Sequence, residues 1–510
     1  MTENRFNLID EPWIPVVDVG RVSLKDIFSN PNLKALGGNP VQKIALTKLL
    51  LAIAQSANTP ENDQAWLELG TEGLAKSCLA YLEKWHDCFY LYGEQPFLQM
   101  PAIAKAAIQP FGAVLPEIAT GNTTVHTQIQ QEKTLDDADK ALLVLQLMGF
   151  GLGGKKTDNT AVLTQGYQGK TKENGKGMTG KPGSSIGFMG FLHNFLQGQN
   201  LQGSIWLNLF TQDQINQMRV FEAGLGQAPW EQMPAGEADT TAKSLSQSLM
   251  GRLIPLSRFL LLSKEGLHYS EGIVHAGYKE GVSDPSVSVN YSGKDPKAIW
   301  VDTEKRPWRM LTALLSFMAT QTKEVFTCPQ LEFGLTRGAK QLKQIGIWSG
   351  GLRVSSNAGE QYVSGSDDFL ESTVSIPAEC IGATWFEHLQ SEVSELDALA
   401  KTLYGCVMSY YKHQLVEGKN QAARATNLFW QLCEGRFQEL VNGADNAQQR
   451  FALRKVFAGF VYQAFELYCS KETARQLDAW AQSRPNLSKY LAQPKQPDLG
   501  AVGQEQIKTV

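Results

Sequence analysis

The chain has 510 residues, of which 43% are hydrophobic and 19% are charged, and its formal net charge is −4. A chain of this length is too long for one ordinary hydrophobic core and indicates two or three domains. The acidic balance excludes a free-standing basic nucleic-acid binder. Any contact with a polyanion must therefore come from local patches, or from a surface that partner subunits complete.

The sequence contains no run of about 20 apolar residues that would predict a membrane span. Its first residues lack the basic and apolar regions of a signal peptide. We therefore expect a cytoplasmic protein that contacts no membrane. The seven cysteines and seven histidines are scattered, without the paired spacing of a zinc site or a disulfide framework. We expect no metal and no cofactor.

Taken in chain order, the first elements are short. Residues 6–17 have a strand-like apolar pattern that two prolines interrupt, which is typical of an edge or a bend. Residues 40–57 and 62–86 have the apolar spacing of helices. Much further along, residues 257–262 and 273–278 have the composition of strands. The chain therefore begins as a mixture of strands and helices.

The stretch from Gly149 to Gly183, which we call the glycine–lysine segment, is the most informative part of the sequence. It contains two acids, Asp158 and Glu173, and six lysines: Lys155, Lys156, Lys170, Lys172, Lys176 and Lys181. Glycine lets a backbone approach a partner closely, and lysine offers a mobile point charge suited to phosphate. The segment predicts contact with a polyanion. The alternative is a surface loop whose lysines only solvate it.

A nucleotide hydrolase is the alternative from a different class. Gly149–Lys156 nearly matches a phosphate-binding loop, but Lys156 stands where such a loop has the Ser or Thr that binds magnesium. The preceding residues 141–150 have the leucine-rich pattern of a helix, whereas a phosphate loop follows a strand. We therefore interpret the match as chance and predict a protein without catalytic residues.

After residue 386 the sequence has four helical patterns with short polar separators, as in antiparallel bundles. They cover residues 391–415, 420–442, 447–470 and 472–492. The sequence thus predicts an α+β protein, with a large irregular mixed domain at 1–385 and a C-terminal antiparallel four-helix bundle at 386–510. By default its basic residues form a solvated face, and alternatively they form a row that carries a nucleic-acid strand: Arg424, Arg450, Arg454, Lys455 and Arg475.

Several motifs carry a resemblance to a known family. Leu8–Val16, of sequence LIDEPWIPV, resembles the opening of the CasA family, the large subunits of the type I-E CRISPR effector complex Cascade. Glu94–Gln99 resembles a turn of that family, and Gly149–Lys156 resembles its glycine loop. Trp348–Arg353 is similar to the lead-in to its wedge hairpin. With the helical C-terminal quarter, the resemblance covers essentially the whole chain in order.

The resemblance implies a role without catalysis. The large subunit belongs to a crRNA-loaded surveillance complex with backbone, crRNA-end-binding and small subunits. It recognises the protospacer-adjacent motif in double-stranded DNA, largely through the minor groove. A wedge then opens the first base pairs, so that the guide pairs with the target strand and an R-loop forms. The subunit afterwards helps to recruit a separate helicase–nuclease, which cuts the DNA.

The resemblance also implies which residues contact nucleic acid. The glycine loop corresponds to Gly151, Gly153, Gly154, Lys155 and Lys156. The wedge corresponds to Ser356, Asn357 and Ala358, with Gln361 close by. A loop like the family's L1 segment falls at 125–133, with the candidates His126, Thr127 and Gln128. The family's lysine finger does not align, because its position falls near Ser270, and the nearest basic groups are Lys264, His268 and Lys279.

Overall fold

The architecture is that of a computed structural model, which describes residues 3–115, 134–151, 157–171, 190–319, 325–357, 360–362 and 368–492. For residues 355–357 and 360–362 it describes the backbone. The chain divides into two compact units, Met1–Ile381 and Gly382–Val510. Within the described ranges, no helix is both long and apolar enough to cross a membrane.

Helices occur in both units. In the first unit the α-helices are α1 Leu24–Ser29, α2 Pro40–Ala57, α3 Asp63–Lys84, α4 Phe111–Val114, α5 Asp137–Phe150, α6 Leu201–Asn208, α7 Gln212–Gln217, α8 Thr240–Ser246, α9 Met250–Leu253, α10 Leu311–Leu314 and α11 Pro329–Gly338. In the second unit they are α12 Ala383–His413, α13 Lys419–Gly443, α14 Ala447–Tyr468 and α15 Ala474–Ser483. The helices predicted at 40–57 and 62–86 are confirmed as α2 and α3.

The strands lie in the first unit and are short, apart from two. They are β1 Arg5–Asn7, β2 Ile14–Val16, β3 Gly20–Val22, β4 Tyr90–Tyr92, β5 Ile108–Gln109, β6 His193–Gln197, β7 Arg258–Leu262, β8 Leu267–Glu271, β9 Val289–Asn290, β10 Lys297–Ala298, β11 Gln344–Leu352, β12 Ser355–Asn357, β13 Glu360–Tyr362 and β14 Phe369–Pro377. Strands and helices together confirm the α+β class.

Two antiparallel three-stranded sheets organise the first unit. One has the order β14-β11-β6, and the other has the order β5-β8-β7. In the first sheet, β11 and β14 pair over their full lengths, from Gln344 opposite Pro377 to Leu352 opposite Phe369. The remaining pairs are β1–β4, β2–β3, β9–β10 and β12–β13.

Helix α2 is the central helix of the first unit. Asn39 caps it, because its side chain accepts a hydrogen bond from Gln42 N and the Gln42 side chain bonds back, with Pro40 at the first helical position. The helix contacts α3, α5, α6 and β11. Buried residues occur on all its faces, as expected for a helix enclosed by a core.

A buried ion pair joins α2 to the rest of the unit. The side chains of Lys48 and Asp284 are 3% and 4% exposed and form a salt bridge, and Lys48 Nζ also donates to Arg252 O at 2.9 Å. Asp284 Oδ1 accepts hydrogen bonds from the backbone and side chain of Ser286. Ser286 Oγ in turn lies 2.9 Å from His193 Nδ1 in β6. One charge pair thus links a helix, a loop and a sheet.

In the second unit, α12 contacts each of the other three helices, and α13 contacts α14. Helix α12 starts at Ala383, earlier than the predicted 391, because Trp385, Phe386 and Leu389 already form part of its buried face. The unit therefore begins at Gly382, where 386 was expected. Helix α15 ends at Ser483 and not at 492, because Pro485 disfavours helical geometry in the residue before it. The antiparallel bundle arrangement stays a prediction.

The strand predicted at 257–262 is confirmed as β7, but the strand predicted at 273–278 is wrong. The preceding strand β8 ends at Glu271, and Tyr278–Glu280 forms a 3₁₀ turn. The Glu280 carboxylate accepts a hydrogen bond from Gly277 N at 2.8 Å. This local capping bond favours the turn over an extended backbone.

The substitution Lys48→Met tests the buried ion pair. It leaves Asp284 as an uncompensated buried charge, so we expect the free energy of unfolding to fall by about 3–5 kcal/mol. Chemical denaturation followed by tryptophan fluorescence measures this. The matched control is Lys43→Met in the same helix, because Lys43 pairs with Glu371 at a partly exposed site and such pairs contribute at most about 1 kcal/mol. Equal losses for the two variants would contradict the assignment.

The same pair sets a pH dependence. Burial acts to raise the pKa of Asp284, but the charges of Lys48 and His193 and the hydrogen bonds outweigh it and hold the pKa at about 2. Because this folded-state pKa lies below the unfolded value of about 4, the contribution is complete above pH 4. It is lost as the pH falls from about 4 to about 2. In Lys48→Met, burial without the opposing charge of Lys48 should raise the pKa of Asp284, so the loss of stability between pH 4 and pH 2 should disappear.

Candidate nucleic-acid interface

The glycine–lysine segment begins at the end of α5. This helix is capped by Asp136, whose side chain accepts from Asp139 N, and it packs on α2 and β7. Gly151 follows it directly. A Cβ atom there would lie 2.7 Å from Tyr269 Oη and 2.8 Å from Arg258 Nε. Gly151 thus has a packing reason to be glycine, in addition to the DNA contact that the sequence predicts.

The segment returns to the same place at Asp158. Asp158 N donates to Tyr269 O at 2.8 Å, and the Asn159 side chain accepts from Glu271 N at 3.1 Å. The described residues on either side of 152–156 therefore both lie beside Tyr269 in β8, and on the C-terminal side Asp158 is hydrogen-bonded to it. The candidates Gly153, Gly154, Lys155 and Lys156 lie outside the described residues. Their predicted contact with DNA stays a prediction, but the structure locates the two points between which they run.

The prediction that the lysines of the glycine–lysine segment contact a polyanion is wrong for Lys170. Its side chain is fully buried, with Nζ 2.6 Å from Glu237 Oε1 and 3.0 Å from Ala161 O. Glu237 also accepts from Thr164 N at 2.7 Å. Burial acts to raise the pKa of Glu237, but Lys170 and these hydrogen bonds lower it below its ordinary value. Lys170 therefore neutralises a buried carboxylate and is not available to a polyanion.

The candidates for a basic finger fall in different places. Lys264 is exposed in the turn between β7 and β8, and β8 also contains Tyr269, whose carbonyl accepts from Asp158 N. His268 is half-buried. Its imidazole ring is hydrogen-bonded to the backbone, with Nδ1 2.7 Å from Ala106 O. Lys279 is exposed in the Tyr278–Glu280 turn, whereas Ser270 is buried. Lys264 and Lys279 are thus exposed whereas His268 is engaged with the backbone, and the assignment of a basic finger stays a prediction.

A hairpin forms where the resemblance places the wedge. Strands β12 and β13 pair with Ser356 opposite Gln361 and Asn357 opposite Glu360. They extend from the β11–β14 ladder, which Arg353 continues by donating from its backbone N to Asp368 O at 2.8 Å. Ala358 lies outside the described residues. The contact of this hairpin with DNA stays a prediction.

The bases of the glycine loop and of the hairpin lie close together. Phe150, the last residue of α5, packs edge-on against His193 with ring centroids 5.9 Å apart. His193 in β6 pairs with Gly350 in β11. One residue, His193, therefore separates the helix that carries the glycine loop from the strand that carries the hairpin. The L1 candidates His126, Thr127 and Gln128 lie outside the described residues.

Two of the basic residues of the second unit are not on a solvated face. Glu392 is buried and accepts from Arg454 in a bidentate pair, with distances of 2.9 and 2.7 Å. Arg450 Nε lies 3.5 Å from the same carboxylate. Arg475 donates to Gln414 O at 2.7 Å. The sequence pattern did not reveal these pairs, because Glu392 lies in another helix. Arg450 and Arg454 are therefore not simply part of a solvated face, and their contact with a nucleic-acid strand stays a prediction.

In the described parts of the chain, no group of three or more His, Cys, Asp or Glu side chains is arranged to hold a metal ion. Helix α5 also confirms that a helix precedes Gly149–Lys156, where a phosphate-binding loop requires a strand.

Comparison with known proteins decides the family. A family model described as CRISPR-associated protein Cse1 matches residues 7–493. The chain belongs to the Cse1 family. CasA/Cse1 of Thermus thermophilus is 33% identical to it over 175 residues, which is 30% of this chain and 34% of that protein. The aligned part thus spans about a third of the length of this Cse1 relative.

Solved Cse1 structures share the fold. Thermobifida fusca Cse1 is similar with a TM-score of 0.75 and 20% identity, over 95% of this chain and 98% of that one. A chain of a CRISPR RNA-guided surveillance complex is similar with a TM-score of 0.65 and 15% identity, over 96% and 99% of the two chains. The resemblance to the CasA family is therefore confirmed at the level of family and fold.

The substitution Lys170→Met separates the buried lysine from its neighbours in sequence. We expect it to lower the free energy of unfolding by about 3–5 kcal/mol, because Glu237 remains buried without its partner. It should leave the salt dependence of DNA binding unchanged. By contrast, Lys155→Ala combined with Lys156→Ala should reduce the slope of log K against log salt by about 2 without loss of stability. A reduced slope for Lys170→Met would show that the ammonium group reaches phosphate after all.

Proposed function

We propose that this Cse1-family chain is the large subunit of a crRNA-guided type I-E Cascade complex. In this role it recognises a short adjacent motif in double-stranded DNA through the minor groove, starts duplex opening and R-loop formation, and helps to recruit a separate helicase–nuclease. Its partners are the target duplex, the crRNA-loaded backbone, crRNA-end-binding and small subunits, and that nuclease. It does no chemistry itself.

The observation that supports the proposal is the closeness of the bases of two loops. The described residues before and after the glycine loop lie beside Tyr269, the backbone of the wedge-like hairpin follows the β11–β14 ladder, and His193 contacts Phe150 and pairs with Gly350 at the two bases. A motif reader and a strand separator must act on adjacent base pairs. Their supports are therefore expected to be neighbours, and this arrangement favours the proposal over a scaffold that binds only protein.

The glycine loop suits minor-groove reading for a physical reason. The minor groove of B-DNA is about 6 Å wide and offers few base-specific groups. Backbone amides from Gly153 and Gly154 fit where larger side chains do not, and Lys155 and Lys156 add phosphate contacts that are independent of sequence. The hydrogen bond from Asp158 N to Tyr269 O anchors the chain just after the loop to β8, which limits the entropy lost when the loop binds.

The hairpin suits strand separation because it is supported. Inserting a side chain between base pairs costs a few kcal/mol of unstacking per step. The hairpin that carries the inserted side chain must therefore resist displacement by the closing duplex. The full-length pairing of β11 with β14 provides a stiff base for it. The guide–target heteroduplex is about as stable as the DNA duplex that it replaces. The opening of the first base pairs therefore decides whether the R-loop forms.

Gly153→Asp combined with Gly154→Asp tests motif reading. The two carboxylates add bulk and repel phosphate, so we expect motif-dependent DNA binding by the assembled complex to be abolished while assembly with crRNA and the other subunits survives. Electrophoretic mobility shift with motif-bearing and motif-free duplexes measures this. The matched control is Gly435→Asp in α13, where a Cβ meets no atom within 4 Å. Normal binding by the loop variant would remove the glycine loop assignment.

Asn357→Gly combined with Ala358→Gly tests the wedge. We expect duplex opening to slow by about tenfold or more, because glycine has no side chain to insert between the first base pairs and unstack them. Initial binding should be unchanged. Stopped-flow fluorescence of 2-aminopurine beside the motif reports opening, and anisotropy of labelled DNA reports binding. A duplex with mismatches at the first positions should restore the rate. Equal slowing of both steps would argue against a wedge.

A further inference from the structure

Trp300 presents part of its indole ring to solvent on a rigid support. The residue is 43% exposed, so a substantial part of the side chain contacts water. Phe191 packs against it, with ring centroids 4.4 Å apart. Phe191 is itself buried in a small core with Val287, Val289 and Ala298. The indole is thus supported by a packed core while it remains accessible from solvent.

A second ring fixes its orientation. Tyr278 packs against the same core and contacts Trp300 edge-on, with centroids 6.5 Å apart. The backbone also holds the tryptophan, because Val301 N donates to Gly190 O at 2.9 Å and Phe191 forms a β-bridge with Trp300. A side chain fixed in this way loses little entropy when a flat ligand stacks on it.

Trp300 lies near the base of the hairpin. Thr303 Oγ1 accepts a hydrogen bond from Arg353 Nη1 at 3.1 Å, and Arg353 connects β11 to the hairpin. Because Thr303 follows Trp300 so closely in the chain, their Cα atoms are at most about 11 Å apart. Trp300 is therefore close in the chain to a residue that contacts the base of the hairpin.

The surroundings favour an anion. Residues 291–309 contain five basic and three acidic residues, in a chain whose formal net charge is −4. Lys294 is exposed in the connection between β9 and β10, Lys297 is exposed in β10, and Lys279 is exposed next to Tyr278. Of the three acidic residues, Asp302 forms a local hydrogen bond, in which its carboxylate accepts from Glu304 N at 2.9 Å.

We propose that Trp300 is a stacking platform for an unpaired nucleotide of the displaced DNA strand. This rests on the function proposed above. When the hairpin opens the duplex, bases of the target strand pair with the guide, whereas bases of the displaced strand lose their partners. An aromatic face binds any base, because every base has a π-face, and neighbouring cations hold the backbone. Trp300 thereby stabilises the first opened state without reading sequence.

The test uses Trp300→Leu and Trp300→Phe in the assembled, crRNA-loaded complex. Leucine keeps apolar contact with Phe191 but lacks the aromatic face, and phenylalanine keeps both. Val19→Ala is the control, because Val19 is another exposed apolar side chain of the same unit, 58% exposed. Thermal unfolding and size-exclusion chromatography first establish that each variant folds and assembles.

The readout is 2-aminopurine placed at the first positions of the displaced strand. In the unchanged complex, opening frees the base and stacking on Trp300 then quenches it. For Trp300→Leu we expect lost quenching and an open-to-closed ratio about tenfold lower, with motif binding unchanged. Trp300→Phe should retain most of both. On a pre-mismatched duplex the Leu variant should stay defective, whereas the Asn357 and Ala358 variant recovers.

Each other outcome is decisive. Wild-type quenching and opening in Trp300→Leu would overturn the platform while leaving the proposed function intact. A loss of complex assembly in Trp300→Leu would show that the indole contacts a protein subunit, which also overturns it. Failure of the unchanged complex to open motif-bearing DNA would instead refute the proposed function itself.

Discussion

The buried pair of Lys48 and Asp284 is the interaction on which the first unit depends. It occupies the middle of the central helix α2 and reaches the loop before β9, and through Ser286 it reaches His193. His193 contacts both Phe150 and Gly350. The position of both predicted DNA-contacting loops is therefore tied to one desolvated charge pair. A buried pair is weak evidence of net stability but makes the loss of either partner costly.

Much of the fold was predictable because its signals are local. Asn39 and Pro40 begin α2, apolar spacing marks α3 and the C-terminal helices, and the leucine-rich run before Gly149 marks α5. The predictions that were wrong concerned elements that depend on distant partners or on a competing local hydrogen bond. The predicted strand at 273–278 lost to the capping bond between Gly277 and Glu280.

The candidate site was predictable only in part, because lysine has two uses that look alike in sequence. Lys155 and Lys170 occur in the same glycine-rich stretch, yet Lys170 pairs with Glu237, which is 67 positions further along the chain. Arg450 and Arg454 likewise pair with Glu392 from another helix. No periodicity within a segment reveals such a partner. The sequence analysis did not single out Trp300, because its neighbours in the sequence indicate neither burial nor exposure of its side chain.

The ladder of β11 and β14 also determines how the hairpin transmits force. Backbone hydrogen bonds in an antiparallel pair lie perpendicular to the strands, and β11 pairs along all nine of its residues. A thrust along the hairpin axis therefore loads these bonds together in shear, whereas a sideways pull breaks them one after another from the end. The ladder that supports the hairpin is consequently stiff along its strands and compliant across them.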